Sequence, residues 1–226
     1  MCGRFTLTDP DPRMLRFRFD LPADAEVKEK ARYNVAPTDP VLAVQLDREG
    51  NRELGRLRWG LIPHYADPEE FKRLLINARA ETLAESAAFK HAFHDGFRCL
   101  IPADGFYEWK ATDKGKRPYW IHRPDRELFA FAGLWARAKR KDGEKLYSCT
   151  IVTCPPSDDI APVHDRMPVV LERDAEAAWL DPSTDEGELA AMLQPNADLE
   201  LTEVNEAVNN VREDGPHLLD PPLQLF

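Results

Sequence analysis

Short runs in which apolar and β-branched residues alternate with polar ones recur along most of the chain: VLAVQLD (41–47), ELGRLRWG (53–60), FRCLIPA (97–103), GFYEWK (105–110), PYWIHR (118–123), LFAFAGLW (128–135), LYSCTIVT (146–153) and MPVVL (167–171). A period of two over four to eight residues predicts strands. Two pairs of runs are joined by short polar turns, Asp47-Arg48-Glu49-Gly50-Asn51 and Lys141-Asp142-Gly143-Glu144. Connections this short favour antiparallel hairpins over crossover helices. Helical periodicity is confined to 12–19, 68–75, 86–93, 173–180 and 186–193. The pattern predicts an α+β fold: a single domain over 1–226 with an antiparallel β core, barrel-like or two-sheet, and short flanking helices. Nineteen prolines punctuate strand ends without marking a linker, and no internal repeat is present.

Composition adds limits to that picture. With 226 residues, 43% of them hydrophobic, the chain is long enough to bury a sizeable core. No stretch approaches the roughly 18 apolar residues of a membrane span, and the first residues lack the apolar run of a signal peptide, so a soluble, cytoplasmic protein is expected. The four cysteines are too few and too irregularly spaced for a disulfide framework or a zinc site. Cys99, Cys149 and Cys154 sit in strand-like runs, where buried reduced thiols are expected. Net charge is −10, which at face value argues against a nucleic-acid partner. That excess is local, however: residues 172–226 hold 14 acidic and two basic residues, leaving residues 1–171 at +2. Solvated helix faces are the simplest home for the acidic quarter.

Candidate chemistry begins at Cys2. A small penultimate residue permits removal of Met1, which would place an amine and a thiol on adjacent carbons, both with a usable nucleophilic fraction near neutrality. Such a pair traps an aldehyde as an imine and then closes a five-membered thiazolidine ring. Glu108 lies between Tyr107 and Trp109 in a strand-like run, a setting that desolvates a carboxylate and raises its pKa toward acid–base use; an outward-facing strand residue is the alternative. His164, just before a strand, has a natural proton-transfer pKa, or is structural. Asn77 and Arg79 could orient a carbonyl and bind a phosphate, or cap the helix that follows.

Seven segments in order make the chain similar to a known family: Met1-Cys2-Gly3-Arg4-Phe5, Arg32-Tyr33-Asn34-Val35-Ala36-Pro37-Thr38, Trp59-Gly60-Leu61-Ile62-Pro63, Asn77-Ala78-Arg79-Ala80-Glu81-Thr82, the run ending Tyr107-Glu108-Trp109, Ala132-Gly133-Leu134-Trp135, and His164-Asp165-Arg166-Met167-Pro168. The chain resembles the SOS response-associated peptidase (SRAP) family. The resemblance implies a covalent sensor of abasic sites in single-stranded DNA that acts without cofactor or metal, as a monomer, and that also exposes its own Cys2. It implies Cys2 as the nucleophile, Asn77 as the amide that orients Cys2 and the sugar, Glu108 as the acid–base carboxylate, and His164 as the group that protonates the sugar ring oxygen. Arg4, Arg79 and Arg166 take the place of residues that contact the flanking phosphates. After Pro63 the chain reads His64-Tyr65-Ala66, where a bacterial member has two adjacent tryptophans, leaving Tyr65 to stack on a base alone. Cys154-Pro155-Pro156-Ser157 also departs from the family pattern ahead of the His164 motif.

Two other readings use the same residues. One is an N-terminal cysteine peptidase acting on other proteins, with Glu108 and His164 as its acid–base pair. The other is a noncovalent reader of modified bases with Trp59, Tyr65 and Trp109 as a cage. The first would not need phosphate-binding arginines, and the second would not need a free N-terminal cysteine.

Overall fold

The computed structural model describes residues 2–195 and 197–222. Along them run β1 (Phe5–Leu7), α1 (Pro12–Arg18), β2 (Arg32–Val35), β3 (Pro40–Leu46), β4 (Arg52–Trp59), β5 (Asn77–Arg79), α2 (Lys90–His94), β6 (Arg98–Ala103) and β7 (Gly105–Thr112). They continue with β8 (Gly115–His122), β9 (Phe129–Lys139), β10 (Lys145–Cys154), β11 (Met167–Pro168), β12 (Val170–Leu171), α3 (Ala175–Leu180), α4 (Glu186–Met192) and β13 (Glu200–Glu203). The hairpin turn at 47–51 joins β3 to β4, and that at 141–144 joins β9 to β10, both antiparallel.

Five strands close on themselves in the order β10-β4-β3-β6-β9 and back to β10. Closure removes the sheet edges that would otherwise invite aggregation. The barrel strands carry large side chains such as Leu100, Ile101, Phe131, Leu134, Cys149 and Ile151 that are fully buried on one face of the sheet or the other. Each large apolar side chain so placed contributes about 1.5–3 kcal/mol by leaving water. All four cysteines are free and buried, as three of them were expected to be.

A second sheet, ordered β13-β8-β7-β1-β2, packs against the barrel. Phe5 of β1 meets Trp59 and Phe131 edge-on across that junction, at 5.2 and 5.7 Å between ring centroids. β1 has only three residues and needs more than its ladder bonds to stay in place. Asp104, buried at the corner between β6 and β7, supplies the rest: its carboxylate accepts from Thr6 Oγ1 (2.5 Å), Thr8 N (2.5 Å) and Thr8 Oγ1 (2.6 Å). Thr6 Oγ1 in turn accepts from Trp120 Nε1 at 3.0 Å.

The structure departs from the pattern in instructive places. The core is mixed rather than purely antiparallel, because β10 runs parallel to both β4 and β5. No helix forms over 68–75: Asp67 caps a single turn through Glu69 N, and Leu75 is drawn into a β-bridge with Leu61 while Leu74 stays exposed. The helix predicted over 86–93 is reduced to α2. The acidic quarter is not only a solvated surface. Glu176 on α3 is fully buried and takes a two-pronged ion pair from Arg18, which ties α3 to α1. Among the described residues no helix is long and apolar enough to cross a membrane.

Gly105 reports on the corner. A Cβ at this position would lie 2.0 Å from Trp120 Nε1, inside the bond to Thr6. Gly105→Ala is therefore expected to destabilise the fold by about 1–3 kcal/mol, measured as a shift in denaturant midpoint at unchanged slope.

Candidate active site

Cys2 is fully buried, three residues ahead of β1, with Sγ 3.7 Å from the Arg4 carbonyl. Burial pushes its thiol far above the ordinary range, and the nearby Glu108 carboxylate adds to the rise. The thiol therefore stays protonated at neutral pH. Asn77 reaches it from β5, which is held in parallel register on β10 with Asn77 opposite Ile151. Its Nδ2 donates to the Cys2 carbonyl at 2.8 Å, so this side chain caps no helix. Its Oδ1 is buried and has no hydrogen-bond partner among the described residues.

Glu108 sits on β7 opposite Tyr119 and is only 2% exposed. Of the two readings of this residue, the desolvated carboxylate is the one the fold adopts. Burial pushes its carboxyl up to about 7, with the Asp165 charge adding to the rise and Lys116 opposing it. His164 Nε2 lies 3.8 Å from Glu108 Oε2. The other ring nitrogen, Nδ1, is 2.9 Å from Asp165 Oδ1 and 3.0 Å from the Arg166 amide. Partial burial lowers the imidazole's pKa. Four residues distant in sequence thus converge: a thiol, an amide, a buried carboxyl poised near neutrality, and an imidazole within reach of it.

Glu108 and His164 open into a cleft of about 600 Å³ lined also by Arg4, Trp109, Lys116 and Asn209. One wall is a strap of chain at 205–214 from the acidic quarter. Buried Asn34 on β2 holds the strap by donating to the carbonyls of Asn210 (3.1 Å) and Glu213 (2.9 Å). Arg4 Nη1 bridges Asn34 Oδ1 (2.9 Å) and the Val208 carbonyl (3.0 Å). Asn209 on the strap accepts from Trp109 Nε1 at 2.7 Å, which fixes the indole at the cleft wall. A neighbouring cavity of about 600 Å³ shares Arg4 and Trp109 and is walled by the turn at 36–39, where β-branched Thr38 sits at φ 80°. Strain of this kind costs about 1–3 kcal/mol and persists only where surrounding contacts impose it, here including the Thr38 N–H bond to the Trp59 carbonyl.

Of the predicted residues, Cys2, Asn77, Glu108, His164 and Arg4 meet at the site. Arg79, on β5 two residues beyond Asn77, is exposed and makes no ion pair among the described residues. The Arg166 guanidinium forms a two-pronged pair with Glu81 and donates to the Thr153 carbonyl at 2.6 Å. Tyr65 is 61% exposed, edge-on to His64, and does not line the cleft. Asn34, Lys116 and Asn209 were not singled out from the sequence.

The family model for SOS response associated peptidases matches residues 1–211. The chain belongs to the SRAP family. It is 43% identical over 227 residues to the abasic site processing protein YoqW of Bacillus subtilis, covering 97% of this chain and 99% of that protein. It is 32% identical to the abasic site processing protein YedK of Escherichia coli, covering 98% and 100%. The abasic site processing protein HMCES of Gallus gallus is also 32% identical, with 87% of this chain and 68% of that protein covered. A crystal structure of a protein from Bacteroides thetaiotaomicron shares the fold, with a TM-score of 0.86 at 23% identity over 98% of this chain and 100% of that one.

Glu108 makes stability depend on pH. Its carboxyl moves from an ordinary 4.5 to about 7, so between those values the folded chain keeps a proton that the unfolded chain has lost. Stability contributed by this group is present below that window and lost as pH rises through it. Glu108→Gln is expected to raise Tm by a few degrees near pH 8.5 and to leave it unchanged near pH 4, read by thermal scans at both values.

Proposed function

We propose that this protein processes abasic sites in single-stranded DNA by capturing them covalently through Cys2. The observation that carries the reading is the convergence of Cys2, Asn77, Glu108 and His164, the last two opening into one cleft. Family membership and the names borne by the full-length relatives support it. The protein would act in the cytoplasm, as a monomer, engaging DNA damage without a cofactor.

Hydrolysis of the bond between Met1 and Cys2 consumes one water and frees the Cys2 amine; Glu108, close by, is suited to assisting that step. The unpartnered Asn77 Oδ1 is then an acceptor for the new amine. An abasic deoxyribose is mostly a closed ring. His164, whose pKa burial lowers, gives its proton readily to the ring oxygen while Glu108 takes one from the anomeric hydroxyl, and the aldehyde opens. The Cys2 amine adds to C1′ and water leaves, forming an imine. The thiol adds to the imine carbon, its proton passing through Glu108 to nitrogen, and a thiazolidine closes with one water lost overall. A carboxyl near 7 is half protonated at neutral pH and can both accept and return these protons. Closing the ring removes the imine that would promote strand breakage by β-elimination, so the lesion is shielded. Arg79, exposed beside the site, is the best placed of the three arginines to meet a phosphate.

Purified protein incubated with single-stranded DNA carrying one abasic site is expected to give an adduct that survives heat denaturation, with intact mass beginning at Cys2. Cys2→Ser is expected to give none; an equally stable adduct from that variant overturns the thiazolidine. The adduct rate should rise with pH through about 7, and Glu108→Gln should flatten that rise and slow the reaction by about 10²-fold. Arg79→Ala should weaken binding and its salt dependence without changing the pH profile.

A further inference from the structure

Two neighbours of His164 address the same ring nitrogen. The Arg166 amide N–H donates to Nδ1 at 3.0 Å, which requires that nitrogen to be bare. Asp165 Oδ1 stands 2.9 Å from the same Nδ1, a distance that suits a carboxylate accepting a proton from it. Nδ1 can serve only one of them at a time. The amide is fixed, because the Arg166 side chain is anchored by Glu81 and by the Thr153 carbonyl at 2.6 Å. The Asp165 side chain, by contrast, is 89% exposed and turns without disturbing the core. The other charged groups facing the ring are Glu108 from β7, 3.8 Å from Nε2, and Arg4 and Lys116 from the same cleft. Burial lowers the imidazole's pKa, with Asp165 opposing the fall and Lys116 adding to it.

Counting protons decides which partner ring opening needs. A neutral ring bonded to the Arg166 amide carries its one proton on Nε2, and giving that up would leave an imidazolate anion, which does not form near neutrality. A protonated ring carries a second proton on Nδ1, so after Nε2 gives its proton away the ring is neutral and Nδ1–H still donates to Asp165. We propose that Asp165 is a positioning residue: it holds a proton on Nδ1 in place of the Arg166 contact, and thereby lets Nε2 of His164 act as the acid that opens the closed sugar. This deepens the abasic-site reading and rests on it for the identity of the sugar. In the step, the Nε2 proton passes to the ring oxygen as the bond from that oxygen to C1′ breaks. Glu108 takes the anomeric hydroxyl proton as the C1′ carbonyl forms. The Arg166 amide holds the resting, neutral ring, and Asp165 holds the ring that donates.

The test uses the full chain labelled with nitrogen-15 at histidine. The ring signals of His164, assigned by their loss in His164→Gln, report both its tautomer and its titration. Asp165→Asn is expected to lower the titration midpoint and to shift the neutral ring toward the Nε2–H form, and Asp165→Glu to restore both. Adduct formation with abasic single-stranded DNA should slow several-fold in Asp165→Asn, although losing a negative charge near the cleft favours DNA binding. Thiazolidine formation with propanal, which has no ring to open, should keep its native rate. Both rates are read at pH 8, above the Glu108 value of about 7, so that Glu108 is mostly ionised in either chain. In a His164→Gln background, Asp165→Asn should cost nothing further. Unchanged ring signals in Asp165→Asn overturn the proposal. So does an equal slowing with DNA and propanal, since capture rather than ring opening would then be impaired. If the ring signals move as expected while the native chain forms no adduct with abasic DNA, the positioning of His164 by Asp165 stands and the covalent reading falls.

Discussion

Everything at the site hangs from a strand of three residues, and a strand that short is not held by its ladder alone. Asp104 solves this with three hydrogen bonds to Thr6 and Thr8, made from a buried corner where water does not compete. Because Asp104 lies directly between β6 and β7, one carboxylate couples the barrel to the strand that carries Glu108 and to the strand that leads back to Cys2. Trp120 closes the same knot from β8 through Thr6. Loosening it would leave the barrel intact and the thiol unplaced.

The second constraint is electrostatic. A carboxylate that is 2% exposed is costly to ionise, and Glu108 meets that cost by holding its proton to near neutrality. The same burial silences the Cys2 thiol and makes the His164 imidazole a weaker base. Low dielectric thus shifts three groups in the directions that disfavour charge: the thiol and the carboxyl hold their protons more tightly, and the imidazole gives its proton up more readily. Arg4 and Lys116, at the wetter wall, supply the positive field that the buried groups lack.

Period-two alternation made the barrel strands legible, because their inward faces must be apolar whatever the topology. It could not show the parallel pairing of β10 with β4 and β5, since parallel and antiparallel neighbours bury the same faces. β1, β2, β5 and β13 escaped because three or four residues carry too little pattern. The 68–75 segment shows the opposite error: helical spacing gave way to one capped turn and a β-bridge from Leu75 to Leu61. At the site, Cys2, Asn77, Glu108 and His164 were legible as clusters of chemistry in apolar surroundings, and they do come together. The pairing of Arg166 with Glu81 was not legible, because the two lie 85 positions apart. Asn34 and Asn209 carried no local signal, since their meaning comes from a strap folded back across the whole length of the chain.

That strap sets an order of events during synthesis. Asn34 cannot take the Glu213 carbonyl, nor Trp109 the Asn209 amide, until the polypeptide is nearly finished. At about 5–20 residues per second, roughly ten to forty seconds separate the emergence of β1 from that of the strap. Through that interval the cleft has only one of its walls. A cut at Cys2 made by the chain itself therefore waits for the last residues, because the carboxyl suited to assisting it gains its full cleft only when the strap closes.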